Sequence, residues 1–298
     1  MMRDPVTNRP DSFDGIDKIF SASYLLTPGE CNPEQRMPLT LLINRLIEVA
    51  TLHANQVGIG WEYLKRDNQT WVLSRVAVEM RRYPGVNSNY RISTWITSIN
   101  RLFSERNFEI ADADTGEVIG YARTIWAVLD VTTRQAGDIS RMTWVVDLIP
   151  DKDCPIAAPS RLRPVTSPTN PTPVNPTPAN PTPANPDGLL SEPAARTSES
   201  FRVAHYRFQY TDLDFNRHVN SSRYIELLMN QWSLPFHDAN RLTRFEIAYI
   251  HEARYDEEAT LSLLTTPIPD TERFETRAEL LDPAGQPILR SLLQFSPR

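Results

Sequence analysis

Residues 38–57 read PLTLLINRLIEVATLHANQV, and this stretch decides the architecture of the first half of the chain. Its apolar side chains recur every three or four residues, which is the period of one face of an α-helix. Pro38 suits the first turn, where a missing backbone N–H costs nothing. The stretch therefore predicts a helix with one buried face, formed by Leu39, Leu42, Ile43, Leu46, Ala50, His53, Ala54 and Val57.

The residues after this helix alternate between apolar and polar side chains, as in β-strands with one buried face. Three such segments lie at 72–80, 90–96 and 108–110. Asp114-Thr-Gly116 then marks a hairpin turn. Residues 118–131 are apolar or aromatic on both faces, which predicts a central, well-covered strand.

The second half repeats this plan, with a strand over 201–210 and a helix near Ser222 to Trp232. Four further strands are expected from Leu242, Ala259, Arg273 and Pro287. A last hairpin turns at Asp282-Pro-Ala-Gly285. A long helix wrapped by a curved antiparallel sheet is a hot-dog fold. We therefore expect an α+β chain of two tandem hot-dog units that form a pseudo-dimer.

A proline-rich segment separates the halves: residues 170–186 read NPTPVNPTPANPTPANP. Proline restricts its own backbone and that of the preceding residue, and no large apolar side chain is present to build a core. We expect a semi-rigid tether, with a partner-docking motif as the alternative. The predicted domains are an N-terminal hot-dog over 1–154, a linker over 155–195 and a C-terminal hot-dog over 196–298.

Composition excludes several classes of protein. The 298 residues carry a net charge of −6, which argues against a nucleic-acid partner. No apolar run is long enough for a secretory signal or a membrane span. Cys31 and Cys154 lie far apart without histidines at metal-ligand spacing, so we expect free thiols in a reducing compartment and no zinc site.

Polar and titratable groups crowd residues 210–224, which read YTDLDFNRHVNSSRY. Asp214, Asn216 and His218 alternate, so an extended backbone would direct all three side chains to one side. Asn220 and Ser221 suit a helix N-cap, whose free amides favour a developing oxyanion. Helix capping alone is the structural alternative for such residues, but this alternation favours a site for acyl transfer to water.

Glu252, in the segment AYIHEAR, is a fourth candidate for this site. A salt bridge to Arg254 or Arg223 is the alternative role for its carboxylate. The residues in the second half that fit a known pattern are Asp214-x-Asn216-x-His218-Val-Asn220, Tyr224 and Tyr249-x-x-Glu252. Those in the first half are the helix from Arg36 to Ala54, the strand from Trp71 ending in Arg82-Tyr-Pro, Thr94-Trp95, and Ala122-Arg-Thr-x-Trp126 running to Arg134.

In these ordered motifs the chain resembles the fatty acyl-acyl carrier protein thioesterases of plastids and bacteria. The resemblance implies that Asp214, Asn216, His218 and Glu252 catalyse hydrolysis of an acyl thioester, without a metal or organic cofactor. We favour Glu252 as the base, with Asp214 holding His218 and Asn216 in place, and the reverse assignment remains open. His218 and Asn216 would then polarise or orient the thioester and the water.

The chain also departs from the family pattern. Plastid members have a cysteine directly after that glutamate, and this chain has Ala253, so the resemblance implies direct attack by water. A long N-terminal extension is missing, which suggests a bacterial, cytoplasmic protein. The first half lacks the loop motif, and the resemblance implies that it supplies the acyl-tail pocket. His53 is expected on the helix face, and Trp61, Trp71, Trp95 and Trp126 in the core.

The implied partner is an acyl carrier protein bearing a fatty acyl chain, with no membrane or nucleic-acid partner. Carrier proteins of this class are acidic, so we expect an arginine patch at the pocket mouth, with Arg217 and Arg223 as candidates. Solvated charges, or ion pairs with Glu226 and Glu252, are the alternative roles of these two arginines.

The rival functions are an acyl-coenzyme A thioesterase, a hot-dog module that binds acyl carriers without hydrolysis, and a dehydratase. A monomer and a homodimer are both compatible with the sequence.

Overall fold

A computed structural model describes residues 16–166, 199–214 and 216–298 of the chain. It divides into two compact units, Met1–Pro159 and Ser160–Arg298. No helix in the described part of the chain has the length and apolar character needed to cross a membrane.

The proline-rich tether predicted over 170–186 lies outside the described residues. The predicted domain limits (1–154, 155–195 and 196–298) and the pseudo-dimer stay predictions.

The first unit contains one long helix and five antiparallel strands. Helix α1 spans Leu39–Gln56, and a single turn, α2, spans Trp61–Leu64. The strands are β1 (Phe20–Leu25), β2 (Gln69–Met80), β3 (Asn89–Ile99), β4 (Phe103–Asp112) and β5 (Val118–Asp130). They pair in the order β1-β3-β4-β5-β2, so β5 has the interior position expected of it.

Helix α1 buries the predicted face. Leu42 and Ile43 are fully buried, and His53 is as inaccessible as they are. Pro38 is the N-cap, and its carbonyl accepts the Leu42 amide at 3.1 Å. Of the tryptophans expected in the core, Trp95 is fully buried, but the expectation is wrong for Trp61, which begins the surface turn α2 and is 49% exposed.

Both predicted hairpin turns are confirmed, and an aspartate organises each in the same way. Asp112 Oδ1 accepts the amides of Asp114 and Thr115 at 3.1 and 3.0 Å. Asp282 Oδ1 accepts the amides of Ala284 and Gln286 at 2.9 and 2.8 Å. The turns end on Gly116 and Gly285, whose φ values of 76° and 78° favour glycine.

The second unit repeats the topology of the first. Its strands are β6 (Ser200–Arg207), β7 (Asn240–Tyr249), β8 (Glu258–Pro267), β9 (Phe274–Leu281) and β10 (Pro287–Pro297). They pair antiparallel in the order β6-β8-β9-β10-β7, which is the order of the first unit with each number raised by five. Two units that each join helices to one antiparallel sheet confirm the α+β hot-dog prediction.

The second unit has two short helices in place of the single long one predicted over 222–232. Helix α3 spans Ser221–Met229, and α4 spans Leu234–Ala239. The helix does not continue from α3 into α4, because Ser233 caps a new helix by accepting the Phe236 amide at 3.3 Å. Pro235 follows in the first turn of this new helix. Phe236 then packs on three buried aromatic rings, those of Trp232, Phe274 and Phe295.

Residues 160–165 of the predicted linker belong to the second unit and pack on its strands. Glu246 Oε2 accepts the Ser160 amide at 2.7 Å, and Glu279 Oε2 accepts the Val165 amide at 2.9 Å. Each glutamate also binds an arginine, Arg244 or Arg290. These buried carboxylates are therefore compensated, and they attach residues 160–165 to the sheet.

Candidate active site

The loop between β6 and α3 is a tight turn, and the extended backbone expected for residues 214–218 is wrong. Asp214 Oδ1 accepts the amides of Asn216 and His218 at 2.8 and 3.1 Å, and the Asp214 amide donates to the His218 carbonyl at 2.8 Å. Arg217 has a φ of 64°, which reverses the chain. The Asp214 side chain thus stabilises a turn where a strand was expected. Aspartate often does this, because its short carboxylate can accept the backbone amides that follow it.

The turn brings His218 against Glu252, which lies after β7. His218 Nε2 and Glu252 Oε2 are 3.4 Å apart, and their side chains are 20% and 39% exposed. Backbone contacts fix this approach, because His218 bridges to Arg254 and the Val219 amide donates to the Ala253 carbonyl at 2.9 Å. An imidazole and a carboxylate therefore meet at a solvent-accessible position.

Helix α3 begins at Ser221, three residues after this histidine, and Asn220 is its N-cap as predicted. The Asn220 side-chain oxygen accepts the Ser222 amide at 3.0 Å and its carbonyl accepts the Arg223 amide at 2.9 Å. These two amides are therefore not free to bind an oxyanion. Because negative charge is favoured at a helix N-terminus, α3 still contributes a positive potential beside His218.

Aromatic side chains pack behind the His218 loop and the Glu252 segment and connect them. The Ala253 amide donates to the Tyr224 hydroxyl at 3.3 Å, which ties α3 to the Glu252 segment. Phe208 packs edge-on against Tyr224, and the Tyr249 ring lies beside it. Burial raises the pKa of Tyr224 and of Tyr249 well above the usual value of a phenol. Both phenols stay neutral near pH 7, so they serve as scaffold groups.

Asp212 anchors the start of the loop. It is 6% exposed, and its carboxylate accepts the Gln209 amide at 2.7 Å and the Tyr206 hydroxyl at 3.0 Å. Burial and this carboxylate raise the pKa of Tyr206 to about 12. The Asp212 carbonyl accepts the Asn220 amide at 2.8 Å, so one residue joins the β6 end to the helix cap.

The structure places the four predicted catalytic side chains at one end of the second unit and brings them together in two pairs. His218 contacts Glu252, and the Asn216 amide group lies 3.5 Å from Asp214 Oδ2. Of the predicted docking arginines, Arg217 is exposed in the turn, whereas Arg223 Nη1 binds Glu226 Oε2 at 2.5 Å.

The other predicted features concern thiols and metals. Cys31 and Cys154 are free thiols, and both belong to the first unit. Within the described ranges, no three His, Cys, Asp or Glu side chains are grouped so that they could hold a metal ion.

One buried group was missed by the sequence reasoning. Arg106 is 4% exposed and binds His53 inside the first unit. Its signal was present in β4, because Ser104, Arg106, Phe108 and Ile110 share one face by alternation and that face is buried. A charged residue at a position that alternation assigns to the core identifies such a group.

Comparisons with known proteins give one consistent result. A protein-family model described as the acyl-ACP thioesterase N-terminal domain matches residues 17–143, and one described as the C-terminal domain matches residues 195–296. A crystal structure of an acyl-ACP thioesterase from Bacteroides thetaiotaomicron is 30% identical, covers 94% of this chain and 98% of its own, and superposes with a TM-score of 0.72.

Plant proteins give a similar picture at lower identity. The 12:0-ACP thioesterase from Umbellularia californica shares the fold, with a TM-score of 0.73, 17% identity and coverage of 99% and 100% of the two chains. A palmitoyl-acyl carrier protein thioesterase from Gossypium hirsutum is 24% identical over 89% of this chain. The chain spans only 61% of that curated relative's length.

Proposed function

Because the chain belongs to the acyl-ACP thioesterase family, we propose that it hydrolyses fatty acyl thioesters of acyl carrier protein to free fatty acid and carrier. The observation that carries this proposal is the contact between His218 and Glu252 at 3.4 Å, beside the start of α3. An accessible carboxylate in contact with an imidazole can bind a water molecule on its solvent side, and a thioester carbonyl needs little further activation.

Glu252 is the general base in this mechanism. Its carboxylate takes one proton from a water molecule while the water oxygen attacks the acyl carbon. The tetrahedral intermediate collapses with cleavage of the C–S bond, and the thiolate of the carrier arm leaves and takes up a proton. His218, whose Nε2 atom contacts the Glu252 carboxylate, helps to orient the water beside that base, and Asn216 donates an amide N–H to the carbonyl oxygen.

Asp214 has a positioning role. Its Oδ1 atom is engaged by the amides of Asn216 and His218, whereas Glu252 presents its carboxylate to the imidazole. The Asp214 oxygen that accepts two backbone N–H groups holds the turn together, and taking a proton there would weaken both hydrogen bonds. This difference supports the assignment of Glu252 as the base.

The absence of a cysteine at position 253 supports direct attack by water. Ala253 is fully buried and uses its backbone to join the loop to α3. It offers no nucleophile, so the acyl group passes directly to water.

Acyl carrier protein is the proposed partner, and the first unit is proposed to hold the acyl tail. Arg217 is the better docking candidate, because Arg223 is already paired with Glu226. An exposed arginine at the site mouth attracts an acidic partner even though the chain as a whole is acidic. The free thiols of Cys31 and Cys154 are compatible with a reducing compartment, and we propose the cytoplasm.

A comparison of two substrates tests the proposal. The purified chain is incubated with dodecanoyl-acyl carrier protein or with dodecanoyl-coenzyme A, and thiol release is followed. We expect kcat/KM to be higher for the carrier substrate and to fall with added salt, because docking is electrostatic. Release from coenzyme A alone would overturn the carrier assignment.

Arg217→Glu tests the docking site. This variant should raise KM for the carrier substrate several-fold and leave hydrolysis of a small uncharged thioester unchanged. Arg273→Glu is the charge-matched control, because Arg273 is exposed in the turn between β8 and β9, at the far end of these strands from the candidate site. Equal losses on both substrates would show that Arg217 supports the loop and does not dock the carrier.

A further inference from the structure

A cleft in the first unit lies between α1 and the sheet face that carries β2, β4 and β5. The space inside the cleft and in front of it is about 350 Å³, which includes open solvent at the mouth. Ala50, Ala54 and Ile59 form part of its wall, together with the rings of Trp71 and Trp126. Both indole N–H groups are already satisfied, by the Ile59 carbonyl at 2.7 Å and by Thr124 Oγ1 at 2.8 Å. The wall therefore offers apolar surface to a ligand.

Arg106 interrupts this apolar lining. Its side chain is 4% exposed, and its Nη1 atom donates to His53 Nδ1 at 2.7 Å and to Thr94 Oγ1 at 3.3 Å. A guanidinium group has only donors, so His53 Nδ1 must be the acceptor. The His53 Nε2–H group then donates to the Asp17 carbonyl at 3.2 Å. His53 is therefore a neutral imidazole in a fixed tautomer.

The positive charge of Arg106 is not balanced within the described residues. Its partners there, His53 and Thr94, carry no negative charge. Burial, with the nearby arginine charge, lowers the pKa of His53 to about 3, and burial lowers the pKa of Arg106 to about 9. At neutral pH the pair thus carries one positive charge. Buried charges are normally paired because desolvating an isolated ion is costly.

We propose that this cleft binds the carboxylate of a free fatty acid, with the carboxylate on Arg106 and the alkyl chain along Ala54, Trp71 and Trp126. A carboxylate matches the fork of a guanidinium group and supplies a negative charge that the described partners of Arg106 do not provide. The apolar wall favours a ligand with an alkyl chain over a small polar anion. A neutral acyl tail in the same cleft would leave the guanidinium uncompensated, so the free acid competes with such a tail.

Isothermal titration of the wild-type chain with dodecanoate and with dodecan-1-ol tests the proposal, both below their micelle concentrations at pH 7.5. The two ligands share one alkyl chain and differ in the charge of the head group. We expect dodecanoate to bind at least about tenfold more tightly, the scale of a charge-assisted hydrogen bond. Equal affinities would overturn the proposal, and this comparison needs no variant to fold.

Arg106→Gln identifies the group responsible. It should weaken dodecanoate binding about tenfold or more and leave dodecan-1-ol binding unchanged. Arg123→Gln is the matched control, because Arg123 lies on β5 beside Asn107 and faces the other side of the sheet. Dodecanoate binding that survives Arg106→Gln, in a variant that melts cooperatively, would place the carboxylate elsewhere and contradict the proposal.

Glu252→Gln separates this proposal from the proposed hydrolysis. The variant should lose turnover and keep the wild-type affinity for dodecanoate, since the cleft lies in the first unit and Glu252 in the second. If the wild-type chain does not hydrolyse the carrier thioester, the proposed function fails but the affinity comparison still tests the fatty-acid site. If dodecanoate and dodecan-1-ol bind equally, the fatty-acid site fails but the proposed hydrolysis is unaffected.

Discussion

Replacing each carboxylate of the candidate site by its amide should separate the base from the positioning residue. Glu252→Gln keeps the size of the side chain but removes the group that accepts a proton. Asp214→Asn keeps an oxygen that can accept the Asn216 and His218 amides, so the turn retains its hydrogen bonds. The two changes are chemically matched, and they act on different functions of the loop.

The structure sets the expected magnitudes. Loss of a general base costs about 10²- to 10⁴-fold in kcat. In Asp214→Asn, two hydrogen bonds to a charged oxygen become neutral, a loss of about 1 kcal/mol each. Asp214 is partly exposed, and solvent screening reduces the sum to about 1 kcal/mol. The corresponding loss in kcat is about fivefold, far below that of Glu252→Gln.

The assay is release of carrier thiol from dodecanoyl-acyl carrier protein at saturating substrate. Melting temperatures of both variants serve as the control for folding. The reasoning would be refuted if Asp214→Asn, still folded, lost as much kcat as Glu252→Gln. That result would make Asp214 the base and Glu252 a support for His218.

Three further predictions concern thiols, acid stability and packing. Cys31→Ser with Cys154→Ser should retain kcat within about twofold of the wild-type value, since no thiol attacks the thioester, and loss of thiol release from the folded variant would contradict this. The Thr115 amide and Arg82 hold the pKa of Asp112 at about 2, so its ionised form stabilises the fold above pH 3.8 and this contribution is lost as the pH falls toward 2. Asp112→Asn should therefore show a smaller drop in melting temperature than the wild type between pH 4 and pH 2, and an unchanged drop would count against this role. Phe236→Ala should lower the free energy of unfolding by about 3–5 kcal/mol in urea titrations, because Phe236 is 1% exposed among aromatic rings, and a loss below about 1 kcal/mol would mean that the core refills.

Local sequence patterns predicted most of the fold because the apolar repeats and turn residues of the long elements are set by residues close together in the chain. The apolar repeat of residues 38–57 predicted α1, and the turn residues at 114–116 and 282–285 predicted both hairpins. The helix over 222–232 was overestimated because Ser233 and Pro235 start a second helix. Helix-forming residues alone do not show where one helix ends and a capping residue starts the next.

The candidate site was predicted in composition but not in conformation. The motif identified Asp214, Asn216, His218 and Glu252, yet alternation suggested a strand where the Asp214 carboxylate builds a turn. The approach of Glu252 to His218 depends on a pairing between segments more than thirty residues apart, which no local pattern encodes. The buried Arg106 was missed for a related reason, because its contact with His53 joins a strand to a helix.

The central claim is that the chain transfers a carrier-bound acyl group to water at the His218–Glu252 pair. Mass spectrometry of one reaction mixture, with the intact enzyme, the carrier and the free acid quantified together, tests it most directly. We expect one molecule of free fatty acid and one of thiol-bearing carrier for each thioester consumed, with an unchanged enzyme mass and no reaction in Glu252→Gln. Carrier that stays acylated, an enzyme that gains the acyl mass, or full turnover by Glu252→Gln would contradict the account.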